Sequence, residues 1–167
     1  MQNPSGVPQS RTGAPDENPS IAVSLLAVAR AINKTKHHEA LCRHAGVDLD
    51  RSGSVLLYKL FSEGDDVRLT TLADRLGIDS PAVTRKVQQL ESEGYLQRTP
   101  DPHDARAMRL RLTTAGRSAV GRLLAAREEW LHLLLADWSD VDQAEFSRLL
   151  HNFAQTIDKK GELHRDH

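Results

Sequence analysis

The chain has 167 residues, a length typical of one domain. Hydrophobic residues make up 39% of it and charged residues 27%, which permits a packed core and argues against disorder over the whole chain. The 22 Lys and Arg residues against 23 Asp and Glu give a formal net charge of −1. This balance excludes a uniformly basic coat for nucleic acid, although it allows a local basic patch.

A single cysteine, Cys42, excludes an intrachain disulfide framework and a zinc site built from several cysteines. No apolar run reaches the roughly 18 residues of a membrane-spanning helix, and the start of the chain lacks the basic and apolar segments of a signal peptide. We therefore expect a cytoplasmic protein with no membrane partner. Residues 1–19 hold four of the seven prolines and are expected to be a flexible tail.

The first predicted element is a helix over about residues 20–44, because apolar residues recur at helical spacing between residues 21 and 32. Gly46 follows as its stop. Asp50 is suited to cap a second helix, since its carboxylate can accept from the free N–H groups of the first turn. Gly64 ends this second helix.

Two short helices are predicted next, joined by a turn at residues 77–79. The first covers about residues 69–76, and Asp79 or Ser80 caps the second. Pro81 then lies in the first turn, where its missing N–H costs nothing. The apolar face of the second helix consists of Val83, Val87 and Leu90, and Gly94 ends it. This arrangement is a helix-turn-helix.

After Gly94 the hydrophobic period becomes two, which is typical of a half-buried strand. The inward positions are Met108, Leu110 and Leu112, and they alternate with Ala107, Arg109 and Arg111. Residues 95–99 are a plausible partner strand, and residues 100–105 between them are rich in turn formers. We therefore predict a β-hairpin, or wing, directly after the helix-turn-helix.

The remaining chain is predicted to be helical. Thr113 begins a long helix that ends at about Trp138, and Ser139 with Asp142 resembles a capping box in which Asp replaces the usual Glu. A last helix runs to about Asp158, and residues 159–167 form a polar tail.

With these motifs in this order, the chain resembles the MarR family of winged helix-turn-helix transcriptional regulators over about residues 21–157. The resemblance is carried by residues 72–78 (LADRLGI), 80–85 (SPAVTR), 90–96 (LESEGYL), 98–106 (RTPDPHDAR) and 112–116 (LTTAG). One departure is Arg68, where relatives often place Ser or Thr to cap the helix that follows.

The resemblance implies a mainly α fold with a small β-hairpin wing and long dimerisation helices at both ends. The winged-helix domain would cover residues 20–158, with the DNA-binding lobe at about 50–112 and the dimerisation helices at about 20–45 and 113–158. It also implies a homodimer that binds double-stranded DNA as a transcriptional regulator, most plainly a repressor. No enzyme activity, cofactor or metal is expected.

The residues themselves indicate how DNA would be contacted. Burying the apolar face of the fourth helix turns Pro81, Thr84, Arg85 and Gln88 outward. An arginine can pair with a guanine edge and a glutamine with an adenine edge in the major groove, while Ser80 and Thr84 suit phosphate oxygens. The full predicted DNA-binding set is Ser80, Pro81, Ala82, Thr84, Arg85, Gln88, Asp104, Arg106 and Arg109.

In the wing, Arg106 is placed as a minor-groove probe, and Asp104 can bond neighbouring N–H groups of the turn. Residues 80–112 contain six Lys or Arg and four Asp or Glu, a local charge of +2. The alternative interpretation is an ordinary solvated helix face and a surface salt bridge in the wing.

The resemblance further implies a small-molecule effector, and Tyr58 and Phe61 are candidates to line an apolar cleft for it. Other functions remain open: a transcriptional activator, a winged helix that docks a protein, or a metal or redox sensor. The sensor alternative depends on His37, His38, Cys42 and His44, because His38 and Cys42 are four residues apart on one helix face.

Overall fold

The computed structural model describes residues 20–163 apart from residues 65, 78, 79 and 105, and it describes the backbone alone at residues 80, 158 and 160–163. The expected tail at residues 1–19 lies outside this range. The described helices are α1 (Ile21–Ile32), α2 (Thr35–Ala45), α3 (Arg51–Ser62), α4 (Leu69–Leu76), α5 (Ser80–Ser92), α6 (Thr114–Leu134) and α7 (Asp140–Leu163). The strands are β1 (Val67–Arg68), β2 (Leu96–Pro100) and β3 (Met108–Leu112). The predicted fold class, mainly α with a small β-hairpin wing, is confirmed.

The core lies between α3, the helix-turn-helix and the sheet. Its largest fully buried side chains are Leu57, Leu60, Leu72, Val87, Leu90, Leu96 and Leu110. The predicted apolar face of α5 is confirmed, since Val83, Val87 and Leu90 are all buried. Because α5 packs with this one face, its opposite face is available to solvent.

The sheet is antiparallel in the order β1-β3-β2. In the hairpin, Leu96 pairs with Leu112 and Pro100 with Met108. The predicted wing is thus confirmed, although β2 begins one residue later than expected because the Tyr95 N–H donates to the Leu90 carbonyl and closes α5 (2.9 Å). Strand β1 was not predicted, because its two residues are too few to show an alternating pattern.

The prediction of one continuous helix over residues 20–44 is wrong, because the chain breaks between α1 and α2. Asn33 ends α1, and Lys34 adopts an extended conformation (φ −66°, ψ 131°). At the start of α3, the Arg51 guanidinium donates to the Asn33 carbonyl (2.7 Å) and to its side-chain oxygen. The break therefore follows from a polar contact with a residue that lies distant in sequence.

Helix ends follow local capping chemistry at several predicted positions. The Asp50 carboxylate accepts from the Gly53 N–H (2.7 Å), and the Thr113 hydroxyl accepts from the Gly116 N–H (3.1 Å). Arg68 occupies the capping position of α4 and makes no side-chain capping bond. Gly77 ends α4 in the left-handed conformation (φ 61°), which glycine adopts without strain.

The two C-terminal helices differ from the prediction in length. Helix α6 ends at Leu134 rather than near Trp138, and the Gln143 amide donates to the carbonyls of Leu135 (3.1 Å) and Trp138 (3.2 Å) in the connecting turn. Ser139 caps α7 as expected, but the Asp142 carboxylate accepts from the Ser139 hydroxyl (2.6 Å) rather than from a backbone N–H. Helix α7 continues to Leu163, five residues past the predicted end. Among the described residues, no helix is long and apolar enough to cross a membrane.

Candidate nucleic-acid interface

The outward face of α5 carries three of the predicted DNA-binding side chains. Pro81, Arg85 and Gln88 are exposed, whereas Ala82 and Thr84 are half-buried. The side chain of Ser80 lies outside the described residues, although its backbone begins α5. The structure therefore places Arg85 and Gln88, which are three residues apart, side by side on the solvent face of the second helix of the helix-turn-helix.

Lys86, which was not among the predicted site residues, is turned away from that face. Its ammonium group donates to the Asp50 carboxylate (2.6 Å) and to the Gln89 side-chain oxygen (2.8 Å). Partial burial raises the pKa of Asp50, but bonds from Lys86, the Gly53 N–H and the Ser52 hydroxyl outweigh this and keep that pKa below its usual value. Asp50, which caps α3, therefore also holds α5 in place through its ion pair with Lys86. The spacing of residues along α5 does not by itself predict whether Lys86 points toward α3 or toward solvent.

The wing turn is held by the bond predicted for Asp104. Its carboxylate accepts from the Arg106 N–H (3.0 Å), and its carbonyl accepts from the Ala107 N–H (2.9 Å). Asp101 donates its N–H to the Ala107 carbonyl (2.9 Å) and so closes the base of the loop. The Arg106 side chain is exposed at the tip, where a minor-groove probe would need to be.

The position of Arg109 differs from that of Arg106. Its guanidinium lies between the carboxylates of Asp66 (2.9 Å) and Asp101 (3.0 Å), and its side chain is 26% exposed. Arg109 donates two hydrogen bonds to Asp66, one to its carboxylate and one to its backbone carbonyl (2.6 Å). A contact between Arg109 and DNA stays a prediction, and the structure shows that this side chain already has three acceptors within the protein.

The candidate effector residues lie on α3, away from its buried side. Tyr58 is 47% exposed and Phe61 is 41% exposed, and Val55 one turn earlier is 46% exposed. Together they form an apolar strip on a helix whose other face, with Leu56, Leu57 and Leu60, belongs to the core. Their role in ligand binding stays a prediction.

The four residues of the sensor alternative do not converge on one point. The His37 ring packs at a tilt of 48° against the Trp130 ring, with centroids 4.2 Å apart, and His44 contacts the Glu129 carboxylate (2.7 Å). Only His38 and Cys42 meet, with 3.3 Å between the ring nitrogen and the thiol sulfur. Among the described residues, no group of three His, Cys, Asp or Glu side chains is arranged to hold a metal ion.

Cys42 is also in an environment that disfavours its reactive form. The side chain is buried, and its thiol donates to the Leu49 carbonyl (3.3 Å). Burial raises the pKa of Cys42, and nearby Asp48 adds to the effect, which together outweigh bonds from Ser54 and to Leu49. Since oxidants react with the thiolate, this position does not favour redox sensing.

Comparison with known proteins agrees with this geometry. A family model described as the MarR family matches residues 51–108, from the start of α3 to the start of β3. The uncharacterized HTH-type transcriptional regulator YdgJ of Bacillus subtilis is 36% identical over 94 residues, which cover 56% of this chain and 55% of that protein. That aligned part is a little over half of each chain.

Solved structures share the fold as well. A MarR family protein from Bacillus stearothermophilus superposes with a TM-score of 0.70 at 22% identity, covering 82% of this chain and 94% of the other. The PcaV transcriptional regulator from Streptomyces coelicolor, solved in complex with its natural ligand, gives 0.55 at 24% identity and covers 83% and 96%. The family match covers the helix-turn-helix and most of the wing, and the solved structures share the fold of the surrounding helices as well. We conclude that residues 51–108 match the MarR family and that the chain has the winged helix-turn-helix fold of its solved members.

Proposed function

We propose that this regulator is a homodimeric repressor that binds an inverted repeat in double-stranded DNA and is released by a small molecule. The observation that carries the proposal is the outward pair of Arg85 and Gln88 on α5, next to a wing whose tip exposes Arg106. This pattern supports major-groove reading by α5 and minor-groove contact by the wing. Two such lobes would contact half-sites about one helical turn apart.

Homodimer formation is supported by apolar side chains outside the DNA-binding lobe at residues 50–112. Helix α1 has no buried residue, and Ile21 is 82% exposed. Further exposed apolar residues lie on one side of α7: Phe146, Leu149, Leu150, Phe153 and Ile157. Exposed apolar surface of this extent on terminal helices is typical of an interface between subunits.

We expect Leu150→Glu to shift the protein toward monomer, because the substitution buries a carboxylate in the proposed interface of α7. The loss should be at least tenfold in the dimerisation constant, since an unpaired buried charge costs several kcal/mol. Sedimentation velocity over a range of protein concentrations measures it. The control is Gln155→Glu, which adds the same charge on the opposite face of α7. Equal sedimentation of both variants and the wild type would rule out this face as the interface.

Release by a small molecule is supported by the exposed apolar strip of Val55, Tyr58 and Phe61 on α3. In addition, PcaV, which has the same fold, is solved with its natural ligand bound. A ligand releases DNA only if it binds the DNA-free form more tightly than the DNA-bound form. We place the site between the dimerisation helices and the DNA-binding lobe.

The function is tested by selecting bound fragments from a genomic DNA library and titrating the enriched sequence with and without a panel of phenolic and aromatic compounds. An inverted repeat should be enriched, and at least one compound should lower affinity for it. Enrichment of no sequence would favour the alternative of a protein-docking winged helix. Addition of a chelator or of peroxide to the same titration tests the sensor alternative, and the buried Cys42 leads us to expect no change.

A further inference from the structure

The structure contains a charged network at the root of the wing, centred on Asp101. Among the described residues, Asp101 is the single charged residue that is buried, with 3% of its surface exposed. Its carboxylate accepts from the Arg68 guanidinium (2.7 Å), the Arg109 guanidinium (3.0 Å) and the His103 N–H (2.9 Å). A buried carboxylate with three donors is held in one position, because rotating it would leave cations and an N–H without partners.

Arg109 joins this carboxylate to a second one. Its three nitrogen atoms all donate: Nε to the Asp66 carboxylate (2.9 Å), Nη2 to the Asp66 carbonyl (2.6 Å) and Nη1 to Asp101. Asp66 itself lies in the left-handed region (φ 77°), which a non-glycine residue rarely adopts. The bonds from Arg109 to both its side chain and its carbonyl offset that strain.

We name Arg68, Asp101, Arg109 and Asp66 the wing clamp. Its members come from segments that are remote in sequence, since Asp101 lies 33 positions after Arg68 and Arg109 lies 43 positions after Asp66. Arg68 is also the residue directly before α4. The clamp therefore ties the root of the wing to the start of the helix-turn-helix.

A continuous series of hydrogen bonds leads from the clamp to the wing tip. Asp101 holds the His103 N–H with its side chain and the Ala107 carbonyl with its own N–H. Ala107 donates to the Asp104 carbonyl, and the Asp104 carboxylate accepts from the Arg106 N–H. Every step of this path fixes backbone within the wing loop. The direction of the loop therefore depends on where Asp101 is held.

We infer that the wing clamp sets the direction of the wing, and that Asp101 and Arg109 are positioning residues which bring Arg106 to DNA. This inference rests on the proposed contact between the wing and DNA. It gives Arg109 a role inside the protein in place of the predicted contact with DNA. Bonding from Arg68 first, and then from the His103 N–H and Arg109, holds the pKa of Asp101 far below its usual range, so the clamp stays charged at neutral pH.

The test is a double-mutant cycle with Arg106→Ala and Asp101→Asn, read as affinity for the operator at several salt concentrations. Arg106→Ala alone should weaken binding about tenfold and lower the salt slope by about one unit. In the Asp101→Asn background the same change should cost less than about threefold, because the wing no longer places Arg106 at the groove. A full tenfold cost in that background would overturn the inference.

The matched control is Glu91→Gln, which breaks another ion pair of the lobe, between Glu91 and Arg98 (2.6 Å), outside the wing loop. Arg106→Ala should keep its full cost in this background. Arg109→Lys gives a further distinction, because a lysine retains a phosphate contact but cannot supply three donors in a planar fork. The clamp predicts that Arg109→Lys weakens binding as much as Arg109→Ala, whereas near wild-type binding by the lysine variant would indicate a phosphate contact instead.

A readout without DNA separates failure of the clamp from failure of the proposed function. We expect Asp101→Asn to speed amide hydrogen exchange at Arg106 and Ala107 at least tenfold in the free protein, with no such change in Glu91→Gln. Unchanged exchange at these two amides would overturn the clamp whatever the protein binds. Fast exchange in a protein that binds no DNA would retain the clamp and refute the DNA-binding proposal.

Discussion

Replacing Arg85 by Ala is expected to cost about 1–3 kcal/mol of binding free energy on the preferred operator and to flatten preference at one base position in each half-site. Arg85 is exposed on the outward face of α5, and the buried residues Val83 and Val87 on the other face keep the helix in place without it. The loss should therefore lie in base reading rather than in folding. Titration against the operator and its single-base variants measures both quantities.

Arg148→Ala is the matched control, since it removes the same charge from α7, where Arg148 pairs with Glu145 (2.6 Å). It should leave base preference unchanged, and both variants should melt close to the wild-type temperature. If Arg85→Ala binds the operator and its variants as the wild type does, α5 is not the helix that reads the bases.

The second large effect concerns the stability of the packing between the DNA-binding lobe and the start of α6. Gly116→Ala should lower the free energy of unfolding by about 3 kcal/mol. A Cβ atom at Gly116 would overlap the Tyr95 carbonyl oxygen. That oxygen cannot withdraw without cost, because it accepts from the N–H (3.1 Å) and the hydroxyl (3.1 Å) of Thr113. Denaturant unfolding followed by circular dichroism measures the change.

Gly121 provides the control within the same helix. A Cβ atom there would meet nothing within 4 Å, so Gly121→Ala should stabilise the protein by about 0.5–1 kcal/mol through its higher helix propensity. Opposite signs for the two glycine variants are therefore expected. Equal stability of Gly116→Ala and the wild type would show that α6 and Tyr95 can move apart without a measurable loss of free energy, contrary to this prediction.

Local signals in the sequence were enough to predict most of the helices and the wing. The capping chemistry of Asp50 and Thr113 marks the starts of α3 and α6, and the spacing of Val83, Val87 and Leu90 identifies the buried face of α5. The exposure of Arg85 follows from that face. These features depend on residues within three or four positions of one another, which is the range over which helical periodicity and capping act.

The features that were missed depend on distant residues. The break after α1 is held by Arg51, and β1 exists because it pairs with β3. Alternation along β3 placed Arg109 on the solvent side, yet its guanidinium is drawn inward by Asp66, 43 residues earlier in the chain. Hydrophobic periodicity cannot predict an ion pair of this kind, because the two residues come together only once the sheet has formed.

The inward direction of Lys86 affects how the protein would search a genome. With its ammonium group held by Asp50, α5 offers DNA one guanidinium and one amide in place of two adjacent cations. Each cation on a DNA-facing surface strengthens attachment to random sequence as much as to the target. Because Lys86 is paired with Asp50, the protein would spend less time bound to the vast excess of nonspecific sites. A lower protein concentration would then suffice to occupy a rare operator.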